Sequence, residues 1–256
     1  MTKSNSFVLV FSVLVVVIAV VFWYHYSLQN LTLRFHPYVG DKPLILHKQS
    51  YKNPGGTGNF IIRDFQLFIS NIVLNSSSSH IKEPESYHLV RFDGDTSFAQ
   101  IVIPEIEIKN LTQVSFGIGV DKKANGTITI SGDLDPNSRM AWNWQVGYKF
   151  LLLEGMLTID NEQLPLVYHI GFDESYTELH FEITNEKLSN DKVINFKIDL
   201  LRLFKKDTPA SAGSGSHQSK QSNDEYIDMS EMSHVKFAPD DVKAIATGFH
   251  DFISIL

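Results

Sequence analysis

The sequence predicts an all-β protein: an antiparallel β-sandwich, immunoglobulin-like or jelly-roll-like, with one C-terminal helix, after an N-terminal transmembrane segment. Three patterns carry that reading. Runs of β-branched and aromatic residues recur at Leu31 to Phe35, Phe60 to Leu74, Tyr87 to Phe92, Phe98 to Ile103, Val114 to Val120, Thr127 to Ile130, Tyr148 to Leu153, Leu164 to Ile170, Thr177 to Ile183 and Val193 to Phe204. Their lengths and the turn residues between them fit strands of a sandwich or barrel. Helical periodicity is confined to the end. There Pro239, Asp240 and Asp241 open a segment whose Val242, Ile245, Ala246, Phe249, Phe252 and Ile253 recur with a period of about 3.6 residues. Its apolar stripe is expected to cover the sheet.

The third pattern lies at the amino end, where Phe7 to Tyr24 is interrupted only by Ser12 and is preceded by Lys3. At about 1.5 Å per residue this run nearly crosses a hydrocarbon core of roughly 30 Å. A basic residue on its amino side places the short amino end in the cytoplasm and the remainder outside, while Trp23, Tyr24 and Tyr26 suit the interfacial belt. The following HYSLQN has no small-x-small exit, which favours an uncleaved anchor over a cleaved signal. Residues 1–27 therefore read as a signal-anchor or signal segment, and residues 28–256 as one β-sandwich domain. Within it, 207–225 is rich in Ser, Gly and Gln and reads as a flexible insertion.

Composition excludes several classes. A chain of 256 residues with 43% hydrophobic content and 18 Phe can bury a sizeable core and is too apolar for disorder. A formal net charge of -7 leaves no basic stripe for phosphates, so no nucleic-acid partner is expected. Cysteine is absent, which removes disulfides, thiolate metal sites and cysteine nucleophiles. There is no P-loop, no G-x-S-x-G elbow and no H-E-x-x-H. No enzyme is expected. Asp93 with Asp95 and Asp133 with Asp135 stand beside Gly or Pro, where Asp serves the turn through its own side chain.

The ten histidines are more informative, because imidazole suits copper, zinc, nickel and iron. His36 follows the run LTLRF, His169 falls in VYHIG, and His234 precedes the last helix. Strand-end positions of this kind can converge on one rim, although each alone is as well explained as a surface or capping histidine. His25, His80 and His217 read as solvated. In MAWNWQVGYKF, Met140 to Phe150, one residue separates Trp142 from Trp144, so a strand would set both on one face. The plain reading is a core aromatic pair, with Met140 as filler or soft ligand.

LRFHPYVGDKPL, RDFQLFISNIVL, YHLVRFD, VSFGIGVD, DLDPNSRMAWNWQVGYKFLLLEG, YHIGF and HVKFAPDDVKAIATGFHDFISI run in order over nearly the whole chain after the anchor. Together they resemble the methanobactin-associated periplasmic copper-binding proteins, the MbnP type, and more closely their relatives from Bacteroidetes-like genomes. The element Met-x-Trp-x-Trp-x-x-Gly-Tyr carries most of the specificity. The resemblance implies a β-sandwich of the bacterial envelope that binds copper through histidine and through a tryptophan oxidised to kynurenine. A partner dihaem enzyme related to the peroxidases would make that oxidation.

It further implies Trp142 or Trp144 as the modified residue, and His36, His169 and His234 as the histidines in matching segments. Intact indole offers a metal only a weak π face. Opening the ring exposes an aniline nitrogen and a carbonyl beside the imidazoles, so copper can be held without thiolate. The expected role is storage or handover of copper without turnover, in a membrane-anchored domain facing the periplasm or exterior. One rival is a sandwich whose loops bind a protein or glycan while the tryptophans fill the core. Another is a hydrolase with an unrecognised site.

Overall fold

Alternation along QNLTLRFHPYV makes a strand with one apolar face. In the computed structural model Leu31, Leu33 and Phe35 are fully buried, while Thr32, Arg34 and His36 between them stay partly exposed. The structure describes residues 13–17, 29–77, 79–93, 97–106, 110–127, 132–143, 147–184, 186–206 and 225–256.

This strand, β1 (Gln29–Val39), is the spine of the smaller sheet. It runs antiparallel to β2 (Lys42–Pro43) and β7 (Ala99–Ile106), and parallel to β13 (Val193–Asp199), whose far edge takes β15 (Ile253–Ile255). The larger sheet is built on β4 (Asn59–Ser76). It pairs with β3 (Tyr51–Lys52), β5 (His80–Lys82), β6 (Tyr87–Phe92), β8 (Leu111–Ile118) and β10 (Gly147–Ile159). Beyond β8 lies β12 (Thr177–Glu182). Beyond β10 lie β11 (Glu162–Gly171) and then β14 (His234–Val235), while β9 (Ala141–Asn143) hangs on the start of β10.

The two sheets face each other across one core. Phe35 and Phe196 of the smaller sheet stack with ring centres 5.2 Å apart, and Phe116 of β8 meets them edge-on at 5.8 and 5.4 Å. Phe65, Leu151, Leu153, Tyr168 and Ile170 complete this core from the larger sheet. A second, smaller cluster lies on that sheet's outer face. Phe68 of β4 and Tyr148, Phe150 and Leu152 of β10 pack there with Val120, Leu134 and Met140. The first seven residues of β10 are buried on both faces as a result.

The mostly β architecture follows the sequence reading, with three corrections. The sandwich is not wholly antiparallel, because β1–β13 and β11–β14 pair in parallel. The run Val193 to Phe204 is not one strand. Asp199 turns its carboxylate onto the backbone N–H of Leu201 and Gly40, and Leu200–Phe204 coils into a 3-10 turn.

The C-terminal helix is also shorter than its periodicity suggests. It is α2 (Pro239–Ala246), after the short α1 (Lys122–Asn125) earlier in the chain. A one-turn α3 (Phe249–Phe252) and then β15 take up the rest of the apolar pattern. The break falls at Gly248, whose backbone lies against Arg202 and Leu203 so closely that a Cβ would stand 2.4 Å from the Arg202 carbonyl oxygen. No helix among the described residues is long and apolar enough to cross a membrane. The expected anchor lies outside the described residues apart from 13–17, which are helical. The insertion expected at 207–225 lies outside them up to 224, as do Ile128 to Ile130 of the run Thr127 to Ile130.

Replacing Phe116 by alanine removes the ring that joins the sheets. It should lower unfolding stability by about 3–5 kcal/mol, read as a reduced urea midpoint with little change in slope.

Candidate functional site

The tryptophan element reaches its position because the outer face of the larger sheet is apolar and a long excursion between β8 and β10 covers it. The excursion leaves β8 at Gly119 and rejoins β10 at Gly147, with φ of 106° and 88°, a region open to glycine at little cost. Asp121 fixes its first turn. The carboxylate caps α1 by accepting from the Lys123 and Ala124 backbone N–H, and it also accepts from the Tyr87 hydroxyl at 2.6 Å and from Asn71 at 3.1 Å. Burial would raise its pKa, but these donors hold it below the ordinary aspartate value. Further on, Asp135 accepts from the backbone N–H of Asn137, the turn role expected of it, whereas Asp133 accepts from the backbone N–H of Leu89 on β6, a contact across the fold. Asp95 lies outside the described residues.

Met140 ends this path fully buried in the outer cluster, as a filler. Trp142 then lies over Gly171 of β11. A Cβ on that glycine would stand 2.6 Å from the indole ring, so only glycine admits this approach. The indole is flanked by Phe172 at 5.3 Å and Phe237 at 5.2 Å, and Lys149 Nζ lies 5.9 Å from its centre. Trp142 Nε1 is buried with no hydrogen-bond partner among the described residues. An unpaired buried donor costs about 1–3 kcal/mol, so this group is unusual in a well-packed site. The backbone leading into it is clamped, because Lys149 Nζ donates to the carbonyl oxygens of Arg139 and Ala141. Burial, with the charge of Arg139 nearby, lowers the pKa of Lys149.

His169 stands two residues before Gly171, on the same outer face, which puts it roughly 7 Å further along the strand. Its Nε2 pairs with Glu154 Oε1 at 2.8 Å. The other oxygen, Oε2, accepts from Arg139 Nη2 at 2.9 Å, Arg139 Nη1 donates to Asp64, and Gln66 donates to Asp64 at 3.0 Å. Burial outweighs the Glu154 contact and holds the His169 pKa below 6.5. Glu154 moves the other way: burial alone would raise it, but the hydrogen bond with His169 and the charge of Arg139 keep it below 4.5. The Arg139 side chain is 60% exposed, so its ion pairs supply orientation more than stability.

His234 joins this face by register. It pairs with Val167 in the parallel β11–β14 ladder, while the next residues, Tyr168 and Val235, both point into the core. His36 does not join. It sits on the outer face of the smaller sheet, where Nε2 pairs with Asn195 at 3.0 Å and the ring packs on Phe98. Both sheets therefore stand between His36 and His169. Trp144 lies outside the described residues. Among the described residues no three His, Asp or Glu side chains are grouped as a metal cage.

Sequence reasoning missed Glu154, Arg139, Lys149 and Phe237. One signal was present in LLLEG, where Glu154 is the one charge between Phe150 and Ile159 of an otherwise apolar stretch.

A two-sheet β protein that covers its larger sheet with a Met-x-Trp segment beside a carboxylate-held histidine defines the class. The sequence model of the MbnP family matches residues 28–223, and the chain belongs to that family. Its fold is similar to that of MbnP from Methylosinus trichosporium, with a TM-score of 0.54 at 16% identity over 89% of this chain and 98% of that one. A search of the curated proteins finds no match.

Two outcomes follow from this geometry. Gly171→Ala should push the indole aside, lowering stability by about 1–3 kcal/mol and reducing the near-ultraviolet circular dichroism of Trp142. The second concerns pH. Because the folded pKa of His169 is depressed, the unfolded chain takes up that proton first. Its contribution to stability is present above pH 6.5 and is lost as pH falls through the folded value. Glu154 adds a further loss below pH 4.5 on the same sign. The urea midpoint should fall in two stages, and His169→Asn should remove the first.

Proposed function

We propose that the protein holds copper on the outer face of its larger sheet, for storage or handover. His169 supplies one imidazole, His234 on the adjoining strand supplies a second, and Trp142 or Trp144 is the tryptophan converted to kynurenine. The observation that carries this reading is the position of Trp142 over Gly171, two residues from His169 on the same face, with an indole N–H that is buried without an acceptor among the described residues. Ring opening would turn that unsatisfied donor into an aniline nitrogen, a ligand of the borderline character that copper accepts beside imidazole. Family membership supports the same role. The oxidation falls to a dihaem peroxidase-like partner of the bacterial envelope, and an N-terminal anchor would keep the domain at the membrane surface, facing the periplasm or exterior.

A non-metal interaction module is the alternative reading. Phe237, 58% exposed beside Trp142, favours it, since solvent-facing aromatics suit contact surfaces.

The deciding experiment is intact-mass and peptide mapping of the natively expressed protein, with metal analysis of the same sample. The expected result is copper at about one per chain together with the mass change of replacing the indole C2 carbon by oxygen at Trp142 or Trp144. His169→Ala should lower copper affinity at least about 10-fold. Unmodified tryptophans and no retained copper, in a host that supplies the partner oxidase, would overturn the reading.

A further inference from the structure

Resting on the copper reading, we propose that Glu154 is a positioning residue that fixes the tautomer of His169, so that Nδ1 is the nitrogen presented to the metal. The argument is geometric. Glu154 Oε1 lies 2.8 Å from His169 Nε2, and an ionised carboxylate can only accept. Nε2 therefore carries the hydrogen. A neutral imidazole has one N–H and one lone pair, so the lone pair is on Nδ1, which has no hydrogen-bond partner among the described residues.

Glu154 is not free to turn away. Its second oxygen is held at 2.9 Å by Arg139, whose other terminal nitrogen is bound to Asp64, itself held by Gln66 at 3.0 Å. This chain of side chains crosses β4, β10 and β11. Arg139 also stands three residues before Trp142, and Lys149 grips the carbonyl oxygens on either side of Met140. One network thus fixes both the ring of His169 and the backbone that carries Trp142. Relaxing it at Glu154 frees the ring to rotate and to exchange tautomers, with no change to the imidazole itself. Removing an outer carboxylate of this kind weakens metal affinity by about 10- to 100-fold.

The tautomer can be read without metal. Isotope-labelled apo protein, held well above the ordinary histidine pKa, gives long-range proton–nitrogen correlations for His169, assigned by their loss in His169→Asn. The expected wild-type pattern is Nε2–H. Glu154→Ala should give a mixture of both tautomers, and Glu154→Met, which keeps the volume and removes the acceptor, serves if the alanine variant fails to fold. Titration with Ag(I) as probe should shift Nδ1 in the wild type and bind about 10- to 100-fold more weakly in the Glu154 variants. An Nδ1–H wild type, a tautomer unchanged by both Glu154 substitutions, or Ag(I) bound through Nε2 would overturn the inference. In the last case copper binding at His169 would still stand. Should neither Ag(I) nor Cu(I) perturb His169, the copper reading itself fails and the ligand assignment falls with it.

Discussion

The larger sheet carries an apolar patch on its outer face as well as an apolar inner face, and the need to bury that patch governs much of the molecule. Phe68, Phe150 and Leu152 would otherwise meet water, and each fully buried side chain of that size is worth roughly 1.5–3 kcal/mol. The two sheets can cover only their inner faces. A covering segment must therefore come from between strands, and the excursion from Gly119 to Gly147 fills that place. Trp142 is where it is because Met140, two residues earlier, belongs to the covering layer.

That origin explains the mixed character of the site. Its floor is sheet and hence rigid, with Gly171, His169 and Glu154 set by the ladders of β10 and β11. The described part of its roof is turns with the short α1 and β9, and polar clamps tie it to the sheet. Arg139 and Lys149 reach from opposite directions to hold the backbone around Met140, while the carboxylates of Asp64 and Glu154 receive Arg139. Individually these exposed pairs are weak. Their value lies in ordering this covering segment against a sheet that is already ordered.

Sequence pattern served well wherever one physical signal dominated. Alternation at Leu31 to Phe35 and β-branched density at Phe60 to Leu74 marked β1 and β4. It failed where tertiary contacts decide. Nothing local distinguishes Gly248 from a residue inside a helix, since its role is to let two backbones meet. Ile253 to Ile255 look like the last turn of an amphipathic helix until the open edge of β13 offers them hydrogen bonds. His36 and His169 are equivalent as strand histidines in the sequence, and only the pairing of sheets puts them on opposite sides of the molecule. Glu154 was legible as the one charge between Phe150 and Ile159, but its partner Arg139 lies across a bulged ladder that no spacing rule reaches.

The parallel ladder between β1 and β13 bears on the order in which the fold can assemble. Thr32 pairs with Val193, so one edge of the first strand stays vacant until three quarters of the chain has been delivered. β13 in turn lacks a neighbour on its far side until Ile253 arrives. Contacts of such long sequence separation are slow to form, and a vacant strand edge is an invitation to foreign pairing. The first strand must therefore keep that edge free until its distant mate has been made, a condition that no local contact can satisfy.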